Sequence, residues 1–138
     1  MNHNGGIIVL VDDEPGLSQA LAFTLESAGF ECVTAVDMSS GLEVLENEHV
    51  LAVVTDVMMP AGPRFPTVDS SEAGFHFIDV VKERWPDLPI VCLSVIGDQD
   101  KIHSLTRRGV RYLRKGETPL STAVEVITAV ATGRRIRL

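Results

Sequence analysis

Leu51-Ala52-Val53-Val54-Thr55-Asp56-Val57-Met58-Met59-Pro60 is the stretch whose reading decides the fold. A short apolar run, rich in β-branched residues, ends on a single carboxylate. Such a run suits a buried central strand of a parallel sheet. In open sheets of that kind, ligands sit outside the carboxyl ends of the strands, and Asp56 stands at that edge. Taken alone, an aspartate just before Pro60 also suits a plain turn, where short polar side chains are common. The choice between the two depends on what the other strands end with.

On the N-terminal side, Ile7-Ile8-Val9-Leu10-Val11 is a second apolar run and stops at Asp12-Asp13-Glu14. Pro15 suits the first position of a helix. Leu17, Leu21 and Leu25 recur at helical spacing with Ala20 and Ala28 on the same side, and Gly29 ends that helix. Glu31–Val36 predicts a shorter strand. Ser39 or Ser40 predicts the cap of a second helix with Leu42 and Leu45 inward.

On the C-terminal side, Pro60, Gly62, Pro63, Pro66 and Gly74 mark residues 60–74 as loop. Asp69 and Glu72 have the spacing of a capping box for a third helix carrying Phe75, Ile78, Val81 and Trp85. Ile90-Val91-Cys92-Leu93 is another buried strand and ends on Ser94. Asp98 or Asp100 opens a fourth helix whose apolar side is thin, Ile102 and Leu105 only. Val110–Leu113 predicts the last strand, which runs into Lys115-Gly116. Thr118-Pro119 opens a final helix with Leu120, Ala123, Val124, Ile127 and Val130 inward. Thr122, Val126 and Ala129 are left for an exposed face, a surface for a partner or a homodimer if it has a role at all.

Strand and helix thus alternate, which implies an α/β fold: a doubly wound parallel sheet with helices on both faces. The 138 residues suit one domain with a real core. Residues 1–6 read as a loose end and residues 134–138 as a basic tail or the start of a linker. Hydrophobic residues at 45% and charged residues at 22% are ordinary for a soluble globular chain. A net charge of -7 argues against nucleic acid or an anionic membrane as a direct partner. No apolar run is long enough to span a bilayer, and no secretory leader is visible. Cys32 and Cys92 lie inside apolar runs and read as reduced thiols of a cytoplasmic protein. The histidines lack metal-ligand spacing.

The strand ends carry Asp12 and Asp13, then Asp56, Ser94 and Lys115. Parallel strands bring all of them to one edge. Carboxylates crowded in one pocket repel and raise one another's pKa. A hard cation relieves that conflict, and Mg²⁺ takes one or two carboxylates plus water and phosphate. Lysine and serine supply donors to an anion. A carboxylate can itself be the nucleophile that accepts a phosphoryl group, with cationic neighbours neutralising the developing charge. Each residue has an ordinary role when taken singly: a helix cap, a strand end, a solvated lysine. Their convergence favours the chemical reading.

With these residues in hand, the chain resembles the receiver domain of two-component response regulators. The resemblance rests on Val11-Asp12-Asp13-Glu14, Thr55-Asp56-Val57-Met58-Met59-Pro60, Leu93-Ser94 and Tyr112-Leu113-Arg114-Lys115, in family order. It implies a five-stranded, flavodoxin-like sheet in the order 2-1-3-4-5. It implies Asp56 as phosphoacceptor for a histidine kinase or phosphotransfer protein in a phosphorelay, with only weak self-catalysed phosphotransfer and dephosphorylation. It implies Mg²⁺ held by Asp13, Asp56 and the backbone carbonyl of Met58, with Asp12 assisting through water. Ser94 and Lys115 would hold the phosphoryl oxygens. Ser94 and Tyr112 would form the switch, read by a downstream target or an output domain.

Gly116, where the family usually has proline, and Val95, where it usually has alanine or glycine, both occur in the branch whose receivers precede a helix-turn-helix output. The ending Ala129-Val130-Ala131-Thr132-Gly133 also looks like that branch. No output domain fits in 138 residues, so the chain reads as a stand-alone receiver or as part of a longer regulator. The loop after Pro60 is roughly ten residues longer than the usual family turn. It reads either as a surface elaboration with Phe65 tucked against the third helix, or as a lid or recognition element that limits access to Asp56 or distinguishes the cognate kinase, with Arg64 able to reach an anion.

Two other classes compete. A receiver-like binding module that is not phosphorylated would keep the fold but has no need of Asp12, Asp13, Asp56, Ser94 and Lys115 together. A haloacid-dehalogenase-like phosphatase needs a second aspartate two residues after the first, where this chain has Met58.

Overall fold

In a computed structural model that describes residues 6–133, the quoted stretch forms the middle strand of a five-stranded sheet. The elements are β1 (Ile7–Val11), α1 (Pro15–Ser27), β2 (Glu31–Ala35), α2 (Met38–Asn47), β3 (Val50–Thr55), α3 (Ala73–Arg84), β4 (Ile90–Ser94), α4 (Gln99–Arg107), β5 (Arg111–Arg114) and α5 (Leu120–Thr132). The strand order is β2-β1-β3-β4-β5 and every pairing is parallel. The readings of residues 1–5 as a loose end and of 134–138 as a basic tail lie outside the described residues. Gly6, counted with that loose end, is buried: a Cβ there would lie 2.5 Å from Leu51 Cγ.

Side chains alternate across a strand, so the continuous apolar runs of β1 and β3 supply two cores. Val9, Val11 and Val53 face one side with Met38, Leu42, Phe77, Ile78 and Leu105. Ile8, Leu10 and Val54 face the other with Leu21, Leu25, Val126 and Ile127.

Four local readings are corrected by tertiary packing. β2 stops at Ala35 and leaves Val36 exposed. The cap of α2 is therefore Asp37, not Ser39 or Ser40. The Asp37 carboxylate accepts the Ser40 N–H at 2.7 Å, and the Asp37 N–H donates to Ser40 Oγ at 3.2 Å, a reciprocal capping box. Asp69 and Glu72 do not form the expected box. Asp69 instead accepts the N–H and Oγ–H of Ser71 in a turn. The start of α3 is pressed directly onto the chain leaving β3: the Gly74 N–H donates to Val57 O at 2.9 Å, and a Cβ at Gly74 would lie 2.3 Å from Val57 Cα. α3 also buries Phe77 completely, a residue its predicted stripe omitted.

The fourth correction concerns α5. Val126 is 0% and Ala129 3% exposed, whereas Leu120, expected inward, is 39% exposed. Wedged between β3 and α1, α5 buries more than one stripe. Of the face proposed for a partner or a homodimer, Val126 and Ala129 are interior and Thr122 is half-buried.

The long loop after β3 closes on itself, with the Met59 N–H donating to Ser70 O at 3.2 Å. It is a compact Ω-loop packed by its own side chains, Phe65 and Val68 joining the core. Phe65 meets His76 of α3 edge-on at 5.8 Å between ring centroids. Arg64 makes paired hydrogen bonds to Glu46 of α2, at 2.9 and 3.1 Å, and Arg84 of α3 reaches the same carboxylate at 2.7 Å. The reading of Phe65 as tucked against α3 matches this arrangement, and the Arg64 guanidinium is spent on Glu46.

Ala129→Glu should lower the urea midpoint of unfolding by burying an unpaired carboxylate, and an unchanged midpoint would contradict the burial of that face. Hydrogen bonds from Arg64 and then Arg84 lower the Glu46 pKa from 4.5 to about 2. Because the folded value is depressed, the clamp's contribution is complete above the ordinary value and is lost as the pH falls through about 2. A carboxyl NMR titration of Glu46 with a midpoint near 4.5 would show that the clamp does not form.

Candidate functional site

Register fixes where the strand ends arrive. Val11 pairs with Thr55, so Asp12 and Asp56 each stand one residue beyond a paired position on adjacent strands. Thr55 pairs with Cys92, so β4 runs on to place Ser94 at the same edge. Ser94 pairs with Arg114, and the next residue, Lys115, donates its N–H to Ser94 O at 2.8 Å. Backbone bonds from Asp12 N–H to Ala35 O at 2.9 Å and from Asp56 N–H to Val11 O at 3.1 Å tie the turns together.

Asp56 is buried at 4% exposure. Its Oδ1 accepts the N–H of Val57 at 2.7 Å and that of Met58 at 3.3 Å. Its Oδ2 accepts Lys115 Nζ at 2.6 Å, and the same ammonium donates to Asp12 Oδ2 at 2.8 Å. Burial works against the charged Lys115, but the hydrogen bonds and charges of Asp12 and Asp56 outweigh it and raise its pKa. The lysine is a permanent cation between two carboxylates.

The structure brings together Asp12, Glu14 and Asp56, each offering one carboxylate oxygen within 4.8 Å of the others'. Glu14 was missed in the sequence. Asp12 Oδ1 accepts the Glu14 N–H at 2.9 Å, folding the chain back so that the residue two positions on returns to the pocket. Asp13 is exposed and is not part of that trio. Met58 enters the site through its backbone, and its side chain is 54% exposed. An oxygen-only, anionic donor set of this kind suits a hard divalent cation.

Ser94 is completely buried, and its Oγ has no hydrogen-bond partner among the described residues. A buried hydroxyl without a partner is costly, so this one is poised for an acceptor that enters the pocket. Tyr112, half-buried, donates its OH to the carbonyl of Ile96 in the loop leaving β4, with Ser94 O at 3.5 Å. The phenol therefore links β5 to the segment that begins at Ser94.

Compared with known families, residues 8–125 match the response regulator receiver domain. The chain belongs to that family. It is 32% identical over 110 residues to the transcriptional regulatory protein GlrR of Escherichia coli (strain K12), covering 80% of this chain and 22% of that protein. It is 29% identical over 132 residues to the phosphate regulon transcriptional regulatory protein PhoB of Klebsiella pneumoniae, covering 94% of this chain and 52% of the relative. The receiver domain of NtrX from Brucella abortus superposes with a TM-score of 0.76 at 25% identity, covering 91% of this chain and 98% of the other. The chain thus spans about a fifth of GlrR and about half of PhoB.

As a two-component receiver, this chain has the elements for phosphoryl chemistry at one edge: an immobilised carboxylate, a fixed ammonium, a free hydroxyl and further carboxylates. Lys115→Ala would leave Asp12 and Asp56 facing each other with no cation. Removing one partner from a buried ionic group costs about 3 kcal/mol, and added Mg²⁺ should recover part of it. Denaturant unfolding with and without Mg²⁺ measures both effects; an unaltered midpoint would show that the ammonium does not hold the carboxylates.

Proposed function

We propose that this receiver is phosphorylated on Asp56 and acts as a cytoplasmic signalling switch. The observation that carries the reading is the state of Asp56. It is buried, with one oxygen held by two backbone amides and the other by Lys115, at the end of the strand beside an unpartnered Ser94 hydroxyl.

The phosphoryl group would come from a phosphohistidine of a histidine kinase or phosphotransfer protein. An Asp56 oxygen attacks phosphorus, the P–N bond breaks and the imidazole leaves with the electron pair. Lys115 Nζ and Ser94 Oγ donate to the phosphoryl oxygens and stabilise the charge there. Hydrolysis reverses the state: water attacks phosphorus, the P–O bond to Asp56 breaks, and the carboxylate returns to Lys115. Asp12, Asp13, Asp56 and the Met58 carbonyl would hold Mg²⁺, with Glu14 as a further rim carboxylate. When bound, the ion neutralises charge on the phosphoryl oxygens.

The switch would act through Ser94 and Tyr112. Once Ser94 turns to a phosphoryl oxygen, the carbonyls of residues 94 and 96 shift, and the Tyr112 hydroxyl must follow or lose its partner. α4 buries only Leu105, with Ile102 half-buried, so it is the element held most weakly against such a shift. A downstream protein or an output domain would read that change. Similarity to PhoB and GlrR, both named as transcriptional regulators, supports an output in transcription. Val126 and Ala129 of the α5 face expected to carry a homodimer are buried, so those two side chains lend it no support. Among the described residues no helix is long and apolar enough to cross a membrane.

Wild-type protein with acetyl phosphate and Mg²⁺ should take up one phosphoryl group. Asp56→Asn should remain folded and take up none, because an amide keeps the shape without the nucleophile. Equal labelling of Asp56→Asn would refute the assignment.

A further inference from the structure

The first N–H groups of a helix have no partner within it. In α2 the Asp37 carboxylate takes the N–H of Ser40, but the N–H groups of Met38 and Ser39 are taken by the long loop. Met38 donates to Pro60 O at 3.1 Å and Ser39 to Ala61 O at 2.9 Å. Ser39 Oγ donates to the same Ala61 carbonyl at 2.8 Å and accepts the Arg64 N–H at 3.1 Å. Gly62, at φ +86, lies so close that a Cβ would sit 2.6 Å from Ser39 Oγ and 2.8 Å from Asp37 Cγ, so only glycine fits. Two residues on, Arg64 grips Glu46 in the last turn of the same helix. Residues 60–64 therefore hold α2 at both ends.

The other end of this segment is rooted in the pocket. Val57 and Met58 give their N–H groups to Asp56 Oδ1, Met59 is buried at 1% exposure, and its N–H is bonded to Ser70 O. From the carboxylate to the cap of α2, the N–H groups of residues 57–59 and the carbonyls of Pro60 and Ala61 are all bonded. Converting the carboxylate to an acyl phosphate removes charge from the oxygen those amides serve and places new acceptor oxygens nearby. A turn of the 57–59 peptides in response would carry the carbonyls of Pro60 and Ala61 with it. α2 either follows or loses its caps.

We propose that residues 60–64 are a strap that couples the state of Asp56 to α2, so that this receiver displays phosphorylation on its α2 face in addition to the Ser94–Tyr112 side. The proposal rests on the reading of Asp56 as phosphoacceptor.

Amide-resolved hydrogen exchange of the full chain, with and without beryllofluoride and Mg²⁺ as the phosphoryl mimic, tests it. Binding of the mimic should alter exchange at Val57 and Met58, and at Met38 and Ser39 by about 5-fold or more, the lower range of ordinary coupling. In Arg64→Ala and in Ser39→Ala the change at residues 57 and 58 should persist and that at Met38 should shrink. Altered exchange at 57 and 58 with Met38 and Ser39 unaffected would overturn the strap and leave the phosphoacceptor standing. No change at either place would overturn the phosphoacceptor reading, and the strap with it.

Discussion

Lys115 Nζ, shared between Asp12 and Asp56, is the interaction on which the site depends. It joins the ends of β1, β3 and β5 at a point where the carboxylates alone would drive those ends apart. The ammonium is nearly enclosed, its side chain 9% exposed, and the two carboxylate side chains are 10% and 5% exposed. Ion pairs in such places are seldom there for stability, because desolvation offsets much of the attraction. A fold seeking only stability would do as well with apolar residues. What the ionic cluster provides is charge of both signs held at one edge of the sheet, which the proposed phosphoryl chemistry would use.

That cluster exists because the sheet is parallel. Each strand delivers its C-terminal neighbour to the same edge, and the pairing register aligns Asp12 with Asp56 and carries Ser94 and Lys115 to their side. The apolar runs before each polar residue fill the two cores and make the edge rigid. Among the buried side-chain polar atoms of the described residues, Ser94 Oγ is the one without a hydrogen-bond partner. The cost of leaving it so is borne by the packed strands around it, and functional sites are where such costs are found.

Much of this was legible in the sequence because the signals were strong and local. Five strand signals define the sheet and its direction, and four of them, those of β1, β3, β4 and β5, run into the residues of the pocket. Readings that failed did so where a distant segment decides. The cap of α2 passed to Asp37 when β2 ended one residue early, and the remaining N–H groups there are satisfied by Pro60 and Ala61, more than twenty positions away (Ser39 and Ala61 are 22 apart). The Asp69–Glu72 spacing was correct for a box, but contact between Gly74 and Val57 determines how α3 begins. Val126 and Ala129 looked surplus on α5 because periodicity describes one stripe, while α1 and the sheet together cover two. Glu14 escaped notice because its return to the pocket depends on a turn made by the side chain of Asp12.

The central claim is that Asp56, among several carboxylates at one edge, is the acceptor. It can be tested without altering the protein. After reaction with acetyl phosphate and Mg²⁺, borohydride reduces an aspartyl phosphate to homoserine and leaves free carboxylates untouched. Peptide mass spectrometry then reads the position. The account requires homoserine at residue 56 and unmodified Asp12, Asp13 and Glu14. Homoserine at 12 or 13, or none anywhere after Mg²⁺-dependent uptake, would contradict it.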